Sequence, residues 1–123
     1  MLTPSQAAMY RRMTVGDETL MASLFSEDGD AAMALDDRTS SLVRLAALVV
    51  VDADTPAYQC EVRDALAAGA SPEQITAVLV AIARVAGSAL VMSAAPKLAL
   101  ALGYDVDAGL EDADARETTG LTS

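Results

Sequence analysis

Apolar residues recur at helical spacing along nearly the whole chain, and no stretch alternates in the two-residue rhythm of a strand bounded by hairpin turns. The pattern predicts an all-α protein, a bundle of about six helices. Thr3-Pro4-Ser5-Gln6 has the form of a capping box: Thr3 is the N-cap, Pro4 takes the first helical position and Gln6 reaches back. This first helix runs to about Met13. Gly16-Asp17-Glu18 opens a second, which carries Leu20, Met21, Leu24 and Phe25, and the acidic segment from Ser26 to Asp30 ends it as a loop.

Asp36 or Asp37 starts a third helix. From Leu42 to Val51 it is apolar on every side apart from Arg44, the pattern of a central, buried helix. Thr55-Pro56 caps a fourth that runs to Ala68, and Gly69 closes it in the left-handed conformation that glycine adopts without steric cost. Ser71-Pro72-Glu73-Gln74 is a second capping box, with the Glu73 carboxylate at the positive end of the helix dipole. The fifth helix sets Ile75, Val78, Leu79, Ile82, Val85 and Ala86 on one stripe, and its other face, with Ala77, Val80 and Ala81, is apolar too. Gly87-Ser88 breaks the path before a sixth helix with Leu90, Val91, Ala94, Leu98 and Leu102. Pro96 should kink it, and Gly103 ends it. Residues 1–104 are therefore expected to form a single helical domain. Residues 105–123, acidic and without sustained pattern, are expected to form a flexible tail.

Composition alters this picture in two ways. The 123 residues include only three Tyr, one Phe and no Trp, so the core is built from Ala, Val, Leu, Ile and Met. Side chains of that size contribute roughly 1.5–3 kcal/mol each at most when buried. A lone Ala-rich domain of this length is marginal. Together with helices that are apolar on more than one face, this predicts a homo-oligomer. The net charge of −10 argues against nucleic acid, whose phosphates need clustered Lys and Arg, and against an anionic membrane surface. The longest apolar run, Leu45 to Val51, falls far short of the roughly 20 residues of a spanning helix. No basic start with an apolar stretch and cleavage site opens the chain, so a cytoplasmic location is expected.

The chemistry is sparse. There is one cysteine, hence no internal disulfide and no Cys-x-x-Cys pair, and there is no histidine, the commonest general base and transition-metal ligand. Without a Glu-x-x-His pair a di-metal bundle site is not expected, and the acidic tail lacks the spacing of a calcium loop. No metal or cofactor is expected.

The run from Leu35 to Ala46 (Leu-Asp-Asp-Arg-Thr-Ser-Ser-Leu-Val-Arg-Leu-Ala), the run Glu61-Val62-Arg63-Asp64-Ala65-Leu66-Ala67-Ala68-Gly69-Ala70-Ser71-Pro72-Glu73-Gln74-Ile75 and the later Val85-Ala86-Gly87 before an Ala-rich helix resemble the carboxymuconolactone decarboxylase family, in the alkylhydroperoxidase D-like superfamily. The resemblance covers roughly residues 35–102, and its most specific part is the Gly-Ala-Ser-Pro-Glu-Gln-Ile turn. It implies an all-α bundle of the alkylhydroperoxidase D-like type with a central antiparallel helix hairpin, assembled as trimers or hexamers. The peroxidase branch places a Cys pair at the start of the fourth helix, a His after it and a Glu on the preceding helix. Counted back from Gly69, the Cys positions are Asp54 and Ala57, the His position is Glu61 and the Glu position is Ser41. None is retained. The decarboxylase branch lacks the Cys pair but keeps the His, so the chain is nearer to it in form and matches neither in chemistry. A thiol peroxidase needs an activated thiolate and a resolving partner, which makes alkylhydroperoxidase or peroxiredoxin-like activity the weakest reading.

Glu61 is the first candidate for catalysis. It borders the stripe of Tyr58, Val62, Ala65 and Leu66, where a carboxylate serves as general acid or base; the other reading is an exposed carboxylate favoured by the helix dipole. Candidate pocket residues are Arg38, Ser41, Tyr58, Cys60 and Arg84. Arg38 or Arg84 is suited to bind the carboxylate of a small organic acid, or else to pair with Asp52 or Glu61. Tyr58 reads as a core residue with a satisfied hydroxyl before it reads as a catalytic acid. Cys60 is either a nucleophile or redox sensor, or a small apolar residue packed on a neighbouring helix or subunit. Two functions follow: a divergent decarboxylase-like enzyme or binder acting on a small acidic or lactone-type molecule, or a non-enzymatic homo-oligomer on the same fold.

Overall fold

The computed structural model describes residues 1–26 and 34–122. Among the described residues seven helices follow one another: α1 (Pro4–Thr14), α2 (Glu18–Leu24), α3 (Asp37–Val50), α4 (Thr55–Ala67), α5 (Pro72–Ala86), α6 (Ser88–Ala101) and α7 (Val106–Thr122). The fold is all-α, and no strand occurs among the described residues. The seventh helix is one more than the hydrophobic pattern predicts. It occupies the acidic stretch after Gly103, where the start signal is polar: Asp105 accepts from the Ala108 backbone N–H at 3.2 Å. Most of the loop expected over Ser26 to Asp30 lies outside the described residues.

The chain divides into two compact units, Met1–Leu35 and Asp36–Ser123. The first holds α1 and α2. Both halves of the Thr3–Gln6 capping box form, at 2.9 and 3.2 Å, and Asp17 caps α2 through the Leu20 N–H. Among the described residues of this unit Leu20 is the buried one, and α1 buries none.

The second unit holds the core. α3 packs on α4, α5 and α6, and α4 and α5 each pack on α6. Because α3 and α4 pack together across the short turn 51–54, they form an antiparallel hairpin. Leu45 and Val49 of α3, Tyr58, Val62 and Ala65 of α4, Ile75 and Val78 of α5, and Ala94 and Leu98 of α6 make one buried cluster, joined by Ala70 from the α4–α5 turn. At that turn Gly69 has φ +97°, and the Ala70 N–H reaches back to the Ala65 carbonyl at 2.9 Å. Ser71 and Gln74 then exchange the two bonds of the second capping box, at 3.0 and 3.1 Å. The signature Gly-Ala-Ser-Pro-Glu-Gln-Ile is thus a helix stop and a helix start in immediate succession.

Two expectations of burial need correction. α3 is central but not buried on every side, since Val43, Val50 and the adjoining Val51 are exposed. On α5, Val85 lies outside the inward stripe: it sits at the flank of the stripe in the last turn and is 79% exposed. α6 runs unbroken from Ser88 to Ala101 through Pro96, and α7 turns away from it by 98°.

Candidate functional site

The positions that the family resemblance marks as catalytic lie on the α3–α4 hairpin, and a residue not among the candidates joins them. Arg44 donates from Nε to Glu61 Oε1 at 2.8 Å and from Nη2 to Ser41 Oγ at 3.1 Å. Ser41 and Arg44 are three residues apart on α3, so they share a face, and α4 presents Glu61 opposite them. Ser41 is buried, the Glu61 side chain is 15% exposed and that of Arg44 is 45% exposed. The array therefore runs from the core to solvent. Glu61 is neither fully exposed nor merely a dipole-favoured surface carboxylate. Its cation is Arg44, the lone charged residue in the apolar stretch of α3, and not Arg38 or Arg84. Those two arginines are exposed, Arg38 in the first turn of α3 and Arg84 in the last turn of α5.

The positions at which the resemblance places a thiol pair, Asp54 and Ala57, begin α4. Asp54 is the N-cap residue but makes no side-chain cap bond. Cys60 lies farther along the helix and is exposed, so within this chain it does not pack against a neighbouring helix. Its Sγ accepts from Arg63 Nη2 at 3.4 Å.

A second polar cluster closes the α3–α4 turn. Asp52 takes a left-handed backbone conformation, φ +52°, uncommon outside glycine but tolerated by Asp. Its Oδ1 accepts from Ser93 Oγ at 2.6 Å and from Lys97 Nζ at 3.4 Å, and Lys97 also donates to the Ala53 carbonyl at 2.9 Å. The Ser93 hydroxyl, then Lys97, holds the Asp52 carboxyl below its ordinary value. The partner of Asp52 is therefore a lysine and a serine one turn apart on α6, not an arginine.

Tyr58 is fully buried, as the sequence predicts, but its hydroxyl has no hydrogen-bond partner among the described residues, which corrects the expectation of a satisfied core tyrosine. Burial, with the Asp52 charge adding to it, pushes the Tyr58 phenol above its ordinary value. That change favours the neutral phenol.

Grooves among the described residues mark the surface of the second unit, and three of them are as follows. One of about 230 Å³ lies between α3 and α5, lined by Thr39, Leu42, Val43, Ala46, Val78, Ala81 and Ile82. Another of about 170 Å³ lies among Thr55, Pro96, Lys97 and the start of α7. A third of about 400 Å³ follows the outer side of α5. None of the three is lined by Glu61. No cluster of three or more His, Cys, Asp or Glu among the described residues is placed to hold a metal ion.

Sequence reading missed Arg44, Ser93 and Lys97. The signals were present: a lone cation in an apolar stretch one turn from Ser41, and a Ser and Lys at i, i+4 on an otherwise apolar helix. In comparison with known proteins, the model of the carboxymuconolactone decarboxylase family matches residues 18–100, starting earlier than the resemblance traced from residue 35. No curated protein and no solved structure matches the chain.

Proposed function

Since the chain belongs to the carboxymuconolactone decarboxylase family, we propose that it acts on a small acidic or lactone-type organic molecule by proton transfer at Glu61. The observation that carries this reading is the Ser41–Arg44–Glu61 array, in which a carboxylate oxygen lies 2.8 Å from a guanidinium nitrogen on the hairpin where the family keeps its catalytic groups. A carboxylate can take a proton from carbon next to a carbonyl, and a neighbouring guanidinium can hold the enolate oxygen on which charge develops. Arg44 thereby takes the anion-holding role first considered for Arg38 and Arg84. Tyr58 belongs to the packing behind the site. The subunits act as a homo-oligomer, a trimer or hexamer, in a cytoplasmic setting where the exposed Cys60 stays reduced. Among the described residues no single helix is long and apolar enough to cross a membrane.

The test is exchange of acidic C–H protons for deuterium, followed by NMR over a panel of small lactones and 2- and 3-oxo acids. It reads the proton-transfer step without requiring the final product. Wild-type protein should accelerate exchange on at least one compound. Glu61→Gln should abolish it, and Arg44→Met should weaken it while raising KM. Undiminished exchange by Glu61→Gln removes the catalytic role.

A second reading is a non-enzymatic homo-oligomer in which the array fastens α3 to α4. The grooves away from Glu61 favour it, and absence of exchange across the panel would select it.

A further inference from the structure

The outer face of α5 carries a pattern that the core does not use. At about 100° per residue, Glu73, Ala77, Val80 and Arg84 fall on one line directly opposite Ile75, Val78 and Ile82. Their spacing of four, three and four is that of a helix–helix seam. All four are exposed, Val80 by 76%, and Thr76 and Ala81 flank them. The groove of about 400 Å³ along this face is lined by Pro72, Glu73, Thr76, Ala77 and Val80. Ala81 also lines the groove between α3 and α5, so the apolar surface continues sideways to Val43 and Ala46.

We propose that α5 of one copy packs antiparallel on α5 of a second copy about a two-fold axis, Ala77 against the partner's Val80 and Glu73 against the partner's Arg84. The sequence positions support this partner directly. The midpoint between Glu73 and Arg84 is also the midpoint between Ala77 and Val80 and between Thr76 and Ala81. One two-fold axis therefore brings all three pairs into register. The two charges stand about 16 Å apart along the helix, one at each end of the small apolar centre. Antiparallel pairing sets acid against base at both ends. Parallel pairing sets Glu73 on the partner's Glu73 and Arg84 on the partner's Arg84, so the charges select the antiparallel arrangement. Ala77 and Ala81 permit close approach of the two backbones. A helix pair alone falls short of the roughly 800 Å² per partner of a stable interface, and the continuation through Ala81 toward α3 enlarges the area.

This interface rests on the homo-oligomeric reading and sharpens it. A two-fold contact requires an even number of subunits, so of the trimer and the hexamer it selects the hexamer.

The experiment is sedimentation velocity over a concentration series, using the full chain. Wild type should sediment as an even-numbered species. Glu73→Arg and Arg84→Glu each place like charges together at both ends and should raise the dissociation constant at this contact by about tenfold. The double variant Glu73→Arg/Arg84→Glu restores the pairing and should return the wild-type size. Val80→Glu, at a position exposed in the single chain, should release the half-sized species with its helical circular dichroism intact. A wild-type monomer overturns both this interface and the oligomeric reading. A wild-type trimer, or an even-numbered assembly unmoved by the three single substitutions, overturns the interface alone.

Discussion

Arg44 and Glu61 are 17 positions apart in the chain and meet at 2.8 Å, fastening α3 to α4 where the hairpin opens to solvent. A partly buried carboxylate left without its cation is costly, whereas the same pair on an open surface is worth little. This pair lies between those limits. Arg44→Ala should destabilise the protein by about 1–2 kcal/mol, and Glu61→Gln, which keeps an acceptor for the guanidinium, by less. In a double-mutant cycle read from urea midpoints, the combined variant should lose less than the sum of the two. Additive losses would show that the two side chains are energetically independent.

Tyr58 presents the reverse case. Its ring fills the centre of the core while its hydroxyl finds no partner among the described residues, so the hydroxyl carries a desolvation cost with no bond to offset it. Tyr58→Phe should leave stability unchanged or raise it by up to about 1 kcal/mol, whereas Tyr58→Ala should cost about 3–5 kcal/mol. The folded-state phenol lies above its ordinary value of 10.0. Stability from this group is therefore complete below pH 10.0 and is lost as pH rises through the folded value. Thermal melts above about pH 10 should fall less steeply for Tyr58→Phe than for wild type. Marked destabilisation by Tyr58→Phe at neutral pH would mean that the hydroxyl is satisfied in solution.

The helix starts were legible because local chemistry determines them: Thr3, Asp17, Asp36 and Ser71 each cap the helix that follows. The α4–α5 turn was legible for the same reason, and it carries the family signature. Side-chain pairing across helices was not, because it depends on the rotation of one helix against another. Ser41 and Glu61 were marked as candidate positions by resemblance, yet that Arg44 bridges them follows only from how α3 faces α4. The burial of α5 was half legible. Its two apolar faces show equally in the pattern, and tertiary packing decides that Val78 turns inward while Val80 and Val85 stay outside. α7 was missed because its positions are polar and its stop and start signals are weak.

Asp52 should give the acid limb of the stability profile part of its slope. Its carboxyl lies below the ordinary 3.8, held there by Ser93 and Lys97. The associated stability is present above pH 3.8 and is lost as pH falls through the folded value. Asn tolerates the left-handed backbone and keeps an acceptor for Ser93, so Asp52→Asn tests the charge with little change of shape. Urea midpoints compared between about pH 6 and pH 3 should decline less for Asp52→Asn than for wild type. Lys97→Met should reduce the slope in the same direction. Parallel declines in all three proteins would remove Asp52 from the acid response.

Gly109, in the first half of α7, sets two opposing effects against each other. A glycine inside a helix costs roughly 0.5–1 kcal/mol relative to alanine. A methyl group added here would run into the hydroxyl end of Tyr104. That end belongs to an exposed side chain, which can swing outward without opening the core. The helical gain should therefore exceed the steric loss, and Gly109→Ala should raise helical circular dichroism and slow amide exchange within α7. The full gain of up to about 1 kcal/mol should appear only in a Tyr104→Ala background, where nothing occupies the space of the new methyl. The cooperative unfolding of the α3–α6 core should shift little in either case, since among the described residues the helix that α7 packs on is α6. If Gly109→Ala accelerates exchange in α7 even without the Tyr104 ring, the glycine serves some packing other than that of Tyr104, and the assigned balance of effects is wrong.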